Sequence, residues 1–156
     1  VKAAEPVARA ALPRYMSSGW SYYEPGVWSS ESYHVLTTGF LDKLCDRTGI
    51  KTYCRAGQRF ASATASAPRL KLATSRAKAG KSASLRLWVS KPATVSITVL
   101  SGKRRVHSGT ATFDPGWHTT SGFRVPKAAK GLSVAIAASD PAGHKRRLAK
   151  SLRIAG

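Results

Sequence analysis

Titratable and aromatic side chains cluster between residues 19 and 34. The cluster consists of the run Gly19–Gly26 (Gly-Trp-Ser-Tyr-Tyr-Glu-Pro-Gly) and the run Ser30–His34 (Ser-Glu-Ser-Tyr-His). We expect a loop that leads into the first turn of a helix, where unpaired backbone N–H groups and the helix dipole favour an anionic ligand group. Since the faces of tyrosine and tryptophan suit sugar rings, the pattern indicates a site for an acidic saccharide. The alternative is that these aromatic side chains only pack a helical layer.

Three side chains of this cluster are candidate substrate-binding residues, namely Trp20, Tyr22 and His34. Trp20 and Tyr22 offer ring faces, and His34 could assist proton transfer near neutral pH. A histidine at the start of a helix is otherwise a capping or packing residue. The sequence leaves both roles open for His34.

Short motifs in the same part of the chain follow the pattern of a known family. They are Gly19–Glu24 (Gly-Trp-Ser-Tyr-Tyr-Glu), Ser32–Leu41 (Ser-Tyr-His-Val-Leu-Thr-Thr-Gly-Phe-Leu), Leu44-Cys45 and Thr48-Gly49. On these motifs, residues 5–63 resemble the C-terminal end of D-glucuronyl C5-epimerase family proteins. The resemblance implies that this part is the end of an α/α toroid and that two tyrosines of its last helical layer are catalytic. The matching residues are Tyr23, for which Tyr22 is the alternative register, and Tyr33.

Inversion of a uronate at C5 explains why such a site would use two tyrosines. A proton next to the carboxylate is removed from one ring face and another is returned to the opposite face, so each face needs an acid/base group. The free phenol has a pKa of roughly 10, and a tyrosine that acts as a base therefore needs cationic neighbours. The same cations would neutralise the charge that develops on the substrate carboxylate.

The resemblance covers only part of the family's site. The family's third acid/base residue, a Glu far upstream, has no counterpart here, and neither does the arginine that follows its first tyrosine. The sequence begins at Val1 with neither an initiator Met nor the pattern of a signal peptide. We therefore expect a C-terminal portion of an epimerase-like protein that is inactive as this chain alone, because three helices cannot enclose a saccharide cleft.

Two other functions are compatible with the same residues. A uronate polysaccharide lyase removes the same proton but expels the C4 substituent. A non-catalytic secreted module would bind anionic polysaccharide and use its helices only as a scaffold. In each case we expect a uronic-acid-containing or other anionic polysaccharide as the partner.

The two cysteines, Cys45 and Cys54, are nine residues apart. They have no nearby Cys or His ligands to complete a zinc site, so we expect a disulfide, or else two buried thiols, and no metal or cofactor. A disulfide would fit a secreted, cell-surface or cell-wall-associated protein. No run of eighteen apolar residues is present, and a membrane span is therefore not expected.

Positive charge is concentrated in the second half of the chain. Residues 1–66 contain eight Lys/Arg and five Asp/Glu, whereas residues 67–156 contain 18 Lys/Arg and two Asp/Glu. The runs Lys103–Arg105 and Lys145–Arg147 are expected at loop ends, where they would attract acidic polysaccharide, cell-wall polymers or nucleic acid. Nucleic acid is the least expected partner because no zinc-finger spacing, recognition helix or RNA-binding signature is present. The alternative is that these charges only keep an exposed sheet soluble.

The helices are expected in the first 66 residues. The sequence predicts a short helix over 5–16, a turn at residues 17–19, and helices over 31–45 and 51–63. The second helix has Ser29-Ser30 as capping candidates and presents Tyr33, Leu36, Phe40, Leu41 and Leu44 at helical spacing. Gly49 is expected to end it, so that the last two helices form an αα-hairpin that brings Cys45 near Cys54.

The pattern changes to alternation after the linker that ends at Pro68. Seven or eight short strands separated by Gly, Pro, Ser and Asp turns predict an immunoglobulin-like β-sandwich over residues 68–156. The runs Ser90–Val99 and Ser139–His144 resemble the immunoglobulin-like or fibronectin-like modules of bacterial secreted proteins. The expected fold class is therefore α+β multidomain, with toroid helices over 1–66 followed by this sandwich.

Overall fold

The computed structural model describes residues 4–17 and 19–155. The chain divides into two compact units, one ending at Ala67 and the other beginning at Pro68. The expected turn at residues 17–19 includes Ser18, which lies outside the described residues. No described helix is long and apolar enough to cross a membrane.

The first unit contains three α-helices, one turn of 3-10 helix and a small β-hairpin. In chain order these are α1 (Ala4–Ala11), the 3-10 turn (Leu12–Tyr15), β1 (Tyr22–Glu24), β2 (Val27–Trp28), α2 (Glu31–Thr48) and α3 (Lys51–Ala65). α2 and α3 pack against each other as an antiparallel hairpin around a small core of Leu41, Tyr53, Ala56 and Phe60.

The ends of α2 follow from local chemistry. The Ser30 hydroxyl caps the helix by accepting a hydrogen bond from the Tyr33 N–H at 3.3 Å. At the other end Gly49 adopts φ 63°, a left-handed conformation that glycine takes without a steric penalty, and its N–H donates to the Cys45 carbonyl. The turn that follows brings Cys45 and Cys54 together, and they form a disulfide.

The described part of the second unit is built from three groups of paired strands. Its strands are β3 (Leu70–Leu72), β4 (Arg76–Lys78), β5 (Ser82–Ala83), β6 (Arg86–Val89), β7 (Ala93–Ser101), β8 (Arg104–Phe113), β9 (Gly116–Thr119), β10 (Phe123–Arg124), β11 (Gly131–Ser139) and β12 (Lys145–Ala155). β4, β12, β11, β7 and β8 form a five-stranded sheet in that order, and β3, β6 and β9 form a three-stranded sheet. The short strands β5 and β10 pair with each other, which completes the described pairings of this unit.

The two larger sheets share one apolar core, which explains the alternation along the strands. Inward positions carry Leu, Val and Ile, including Leu72, Leu87 and Val89 from the smaller sheet and Val95, Ile97, Val99, Leu132, Val134 and Ile136 from the larger one. The intervening residues are exposed or partly exposed. Strands β6, β7 and β11 therefore each have one buried and one outward face, as the pleat of a sheet requires.

The expected fold class is wrong. Strands make up 42% and helices 30% of the structure, so the chain is predominantly β rather than an evenly mixed α+β protein. The helices of the first unit form a two-helix hairpin with a short helix before it, and not a layer of an α/α toroid. A toroid layer requires helix pairs packed on both sides, and the outer face of α2 is uncovered instead.

Candidate functional site

The tyrosines that the family resemblance selects lie next to each other. Tyr23 is in β1, and Tyr33 is in the first turn of α2. Their ring centroids are 4.9 Å apart in an edge-to-face arrangement, with 69° between the ring planes. Both side chains reach the surface, since Tyr23 is 55% exposed and Tyr33 is 36% exposed. The pair is therefore accessible to a ligand from outside.

A network of hydrogen bonds fixes the β1–β2 hairpin against the start of α2. The Ser29 N–H and hydroxyl both donate to the Ser21 carbonyl, at 3.2 and 2.9 Å. The Ser21 N–H in turn donates to Nδ1 of His34 at 3.0 Å. Since Nδ1 accepts this bond, Nε2 is the protonated ring nitrogen, and it donates to the Phe60 carbonyl at 3.3 Å. His34 therefore connects the hairpin to α3 through both of its ring nitrogens.

Two of the three predicted substrate-binding residues are buried, and this corrects their expected role. Trp20 and His34 stack with ring centroids 3.9 Å apart, and each is at most 1% exposed. The indole N–H of Trp20 donates to the Ser29 carbonyl. Both side chains support the hairpin from inside and present no ring face to a ligand. The packing alternative left open by the sequence applies to them.

Tyr22 and Tyr23 contact different aromatic side chains. Tyr22 packs on Trp28 at a centroid distance of 4.5 Å, whereas Tyr23 contacts Tyr33. Tyr22 is partly buried in this contact. The geometry therefore favours Tyr23 over Tyr22 as the partner of Tyr33.

The surroundings of the tyrosine pair contain no basic residue from its own segment. No Lys or Arg occurs between Arg14 and Lys43, and the charged side chains beside the two tyrosines in sequence are Glu24 and Glu31. Among the described residues, the structure contains no group of three or more His, Cys, Asp or Glu that could hold a metal ion. The pair thus offers two phenol groups, and the cation that their chemistry requires must come from another segment.

An apolar strip along α2 is continuous with the tyrosine pair. Leu36, Phe40 and Leu44 follow Tyr33 at intervals of three to four residues, and all of them are exposed. The opposite side of the helix, with His34, Thr38 and Leu41, is the buried one. We call the exposed strip the α2 apolar face. Of the five apolar residues that the sequence places at helical spacing in this helix, only Leu41 is buried.

The two basic runs of the second unit do not form a single patch. Lys103–Arg105 lies at the β7–β8 turn, and Lys145–Arg147 begins β12 after the β11–β12 turn. In the antiparallel register of β7 and β11, Leu100 is opposite Ser133 and Thr94 is opposite Ser139. The two turns are therefore at opposite ends of the five-stranded sheet.

No family model and no curated protein sequence matches this chain. Among solved structures, it is similar to a superoxide reductase (neelaredoxin) from Ignicoccus hospitalis, with 12% identity and a TM-score of 0.42 over 57% of this chain and 80% of that one. It is also similar to the sporulation control protein Spo0M from Bacillus subtilis, with 12% identity and a TM-score of 0.36 over 58% of this chain and 49% of that one. Murine CRIg has 13% identity and a TM-score of 0.28, over 56% of this chain and 95% of that one. Similarities at this level carry no argument about function.

Proposed function

We propose that this chain acts as the C-terminal part of a secreted D-glucuronyl C5-epimerase-like protein, whose substrate is a uronic-acid-containing polysaccharide. The observation that carries the proposal is the contact between Tyr23 and Tyr33, which are ten residues apart in sequence and belong to different elements. The family resemblance selects the same two residues without any knowledge of their spatial relation. The disulfide between Cys45 and Cys54 supports secretion, because such bonds persist in oxidising compartments.

The proposed reaction removes a proton from one face of the sugar ring and returns a proton to the opposite face. One tyrosine, as phenolate, takes the proton from C5, and the electron pair of that C–H bond delocalises into the adjacent carboxylate. The other tyrosine, as phenol, then donates its proton to C5 from the opposite face, which inverts the centre. Charge is balanced when the two tyrosines exchange protonation states in each turnover and a bound cation stabilises the carboxylate intermediate.

The rings must separate for the sugar to enter. At a centroid distance of 4.9 Å the two tyrosines are in contact, and no pyranose ring fits between them. Tyr23 is the more exposed of the two and lies on a two-stranded hairpin, so rotation of its side chain opens the gap without disturbing α2. The reaction also requires the family's upstream acid/base residue, which has no counterpart here, and a cation from another segment, so this chain alone is expected to be inactive.

The reaction type is tested by following solvent deuterium into the polymer. The full-length gene product is incubated in heavy water with a glucuronate polymer, and deuterium at C5 is measured by NMR together with ultraviolet absorbance. An epimerase incorporates deuterium without generating an absorbing product. A rise in absorbance from an unsaturated sugar would instead identify the lyase reaction. If neither signal appears, only the non-catalytic binding function remains.

A further inference from the structure

The outward face of the three-stranded sheet carries two tryptophans surrounded by basic residues. Along β6 the core positions are Leu87 and Val89, so Trp88 points outward, as does Trp117 of β9. We call this surface the tryptophan face. It is formed by Arg69, Lys71, Arg86, Trp88 and Trp117. Trp117 is 48% exposed, and Trp88 is partly exposed.

The register of the sheet lines these residues up. Lys71 of β3 is opposite Trp88 of β6, and Trp88 is opposite Trp117 of β9, so the three side chains form one row across the strands. Directly opposed residues in antiparallel strands have Cβ atoms about 5 Å apart. Trp88 and Trp117 are therefore neighbours on one face of the sheet. Rigid aromatic groups lose little conformational entropy on binding, which suits them to a contact surface.

Three cations lie beside the rings. Nζ of Lys71 is 5.2 Å and Cζ of Arg69 is 5.9 Å from the Trp88 ring centroid, and Cζ of Arg86 is 5.0 Å from that of Trp117. In the part of the chain that the structure describes, no ion pair joins any of them to a carboxylate. The cation–π contacts orient the basic groups at the ring edges and faces, where an anionic group of a ligand can reach them.

The charged side chains of the second unit are almost all positive. The second unit contains only two acidic residues, Asp114 and Asp140. Asp140 is buried in an ion pair with Lys91, so Asp114 is the one exposed carboxylate. The tryptophan face therefore attracts anions over a distance set by salt screening, roughly 8 Å at physiological ionic strength. A mere solubility role for the charges explains neither the two adjacent outward tryptophans nor their alignment with Lys71.

We infer that the tryptophan face binds an anionic polysaccharide. The sugar rings lie with their C–H faces on the indoles of Trp88 and Trp117, and Lys71, Arg69 and Arg86 contact the carboxylate or sulfate groups. Single-stranded nucleic acid uses similar stacking and charge. The Cys45–Cys54 disulfide favours the polysaccharide, because it indicates an oxidising compartment, where polysaccharides are the abundant polyanions. This site does not depend on the proposed epimerase chemistry, which uses other residues.

The test compares variants of the 156-residue chain for binding to heparin, a sulfated uronate polymer, in 150 mM salt by calorimetry. Trp117→Ala removes the more exposed indole and is expected to weaken binding about tenfold. The double variant Lys71→Ala/Arg86→Ala removes two charges from the tryptophan face and should weaken heparin binding at least as much. The matched control, Arg104→Ala/Lys145→Ala, removes two exposed charges from the turn regions of the larger sheet and should change binding less than about threefold.

Three results would overturn the inference. Equal weakening by the two double variants would mean that only net charge matters. If the parent chain shows no measurable heparin binding, the tryptophan face is not a site for anionic polysaccharide. Tighter binding of an oligothymidylate than of heparin, lost in Trp117→Ala, would assign the face to single-stranded nucleic acid. Unchanged circular dichroism of each variant excludes unfolding as the cause of a loss.

Discussion

At the scale of single residues, the buried ion pair of the second unit is the interaction with the clearest energetic consequence. Nζ of Lys91 lies 2.6 Å from Oδ2 of Asp140, and both side chains are almost fully buried. The His144 backbone N–H and ring Nδ1 contact the same carboxylate at 2.8 and 3.0 Å. Burial of the Asp140 carboxyl raises its pKa, but the hydrogen bonds from Lys91 and His144 outweigh burial, so the pKa lies below its ordinary value.

We expect Asp140→Asn to lower the free energy of unfolding by about 3 kcal/mol at neutral pH, because it removes the buried counter-charge of Lys91. Asp114→Asn, at an exposed position, is the control and should change it by less than about 0.5 kcal/mol. Urea unfolding measures both. Similar losses of unfolding free energy in the two variants would mean that the buried ion pair contributes no more to stability than an exposed carboxylate.

The Asp140 carboxylate determines the direction in which the stability of the protein changes with pH. A pKa that is depressed in the folded state adds stability that is present above the unfolded value of about 3.9 and is lost as pH falls toward the folded pKa. The parent chain should therefore lose stability on acidification below about pH 5, and Asp140→Asn should lose less. If the unfolding free energies of the two proteins change with pH in parallel, the acid sensitivity does not come from Asp140.

Residue-scale reasoning from the sequence selected Tyr23 and Tyr33, whose rings are in contact, and misjudged the burial of their neighbours. Tyr23 and Tyr33 were identified by their motif, whereas Trp20 and His34 belong to the core. A polar residue such as His34 is expected at the surface, yet here the Ser21 N–H and the Phe60 carbonyl satisfy both ring nitrogens. The sequence offers no signal for these partners, since they come from a hairpin and from another helix.

At the scale of elements, α2 shows which features of a helix can be predicted from the spacing of its apolar residues. The bounds expected for α2 and α3 agree closely with the structure, because Ser30 and Gly49 supply unambiguous local signals. The buried side of α2 could not be predicted. Leu36, Phe40 and Leu44 are spaced for one face and Leu41 and Cys45 for another, and only the position of α3 decides between them.

Two leucines of α2 test this orientation directly. Leu41 is 4% exposed and Leu36 is 52% exposed. Leu41→Ala is expected to cost about 2–4 kcal/mol of unfolding free energy, and Leu36→Ala less than about 0.5 kcal/mol, with thermal or urea unfolding followed by circular dichroism. Equal losses of unfolding free energy in the two variants would mean that the α2 apolar face is covered in this chain.

The disulfide is the second element-scale constraint, because it closes the turn between α2 and α3. In the loop-closure model, a loop of this length contributes about 2–3 kcal/mol. Cys45→Ser/Cys54→Ser should therefore unfold at lower denaturant concentration than the parent. A reducing agent should shift the parent to the same midpoint and leave the variant unchanged. A parent chain that is insensitive to reductant would contradict this contribution.

The strands show a different limit of prediction. Strands β6, β7 and β11 are evident from alternation, but the β1–β2 hairpin lies in a segment expected to be a loop. Its strands contain only three and two residues, too few to establish a period. The outward position of Trp88 was also visible in the alternation. Its alignment with Trp117 depends on strand pairing and was not predictable.

At the scale of the whole molecule, charge and aromatic residues are divided between two chemically different surfaces. The first unit presents the tyrosine pair and the α2 apolar face, and the second presents the basic tryptophan face. Composition predicted the charge asymmetry but not the fold class, since the number of helices in a segment does not determine how they pack. The proposals for the two surfaces are separable, because each one has variants that leave the other intact.

The central claim is that Tyr23 and Tyr33 exchange protons with C5 of a uronate. It is tested most directly by deuterium incorporation into C5 of a glucuronate polymer by the full-length gene product and its single phenylalanine variants. We expect Tyr23→Phe and Tyr33→Phe each to lower the initial rate by about 100-fold or more, and Tyr22→Phe, whose ring packs on Trp28, to retain most of it. Unchanged incorporation in both Tyr23→Phe and Tyr33→Phe would contradict the claim.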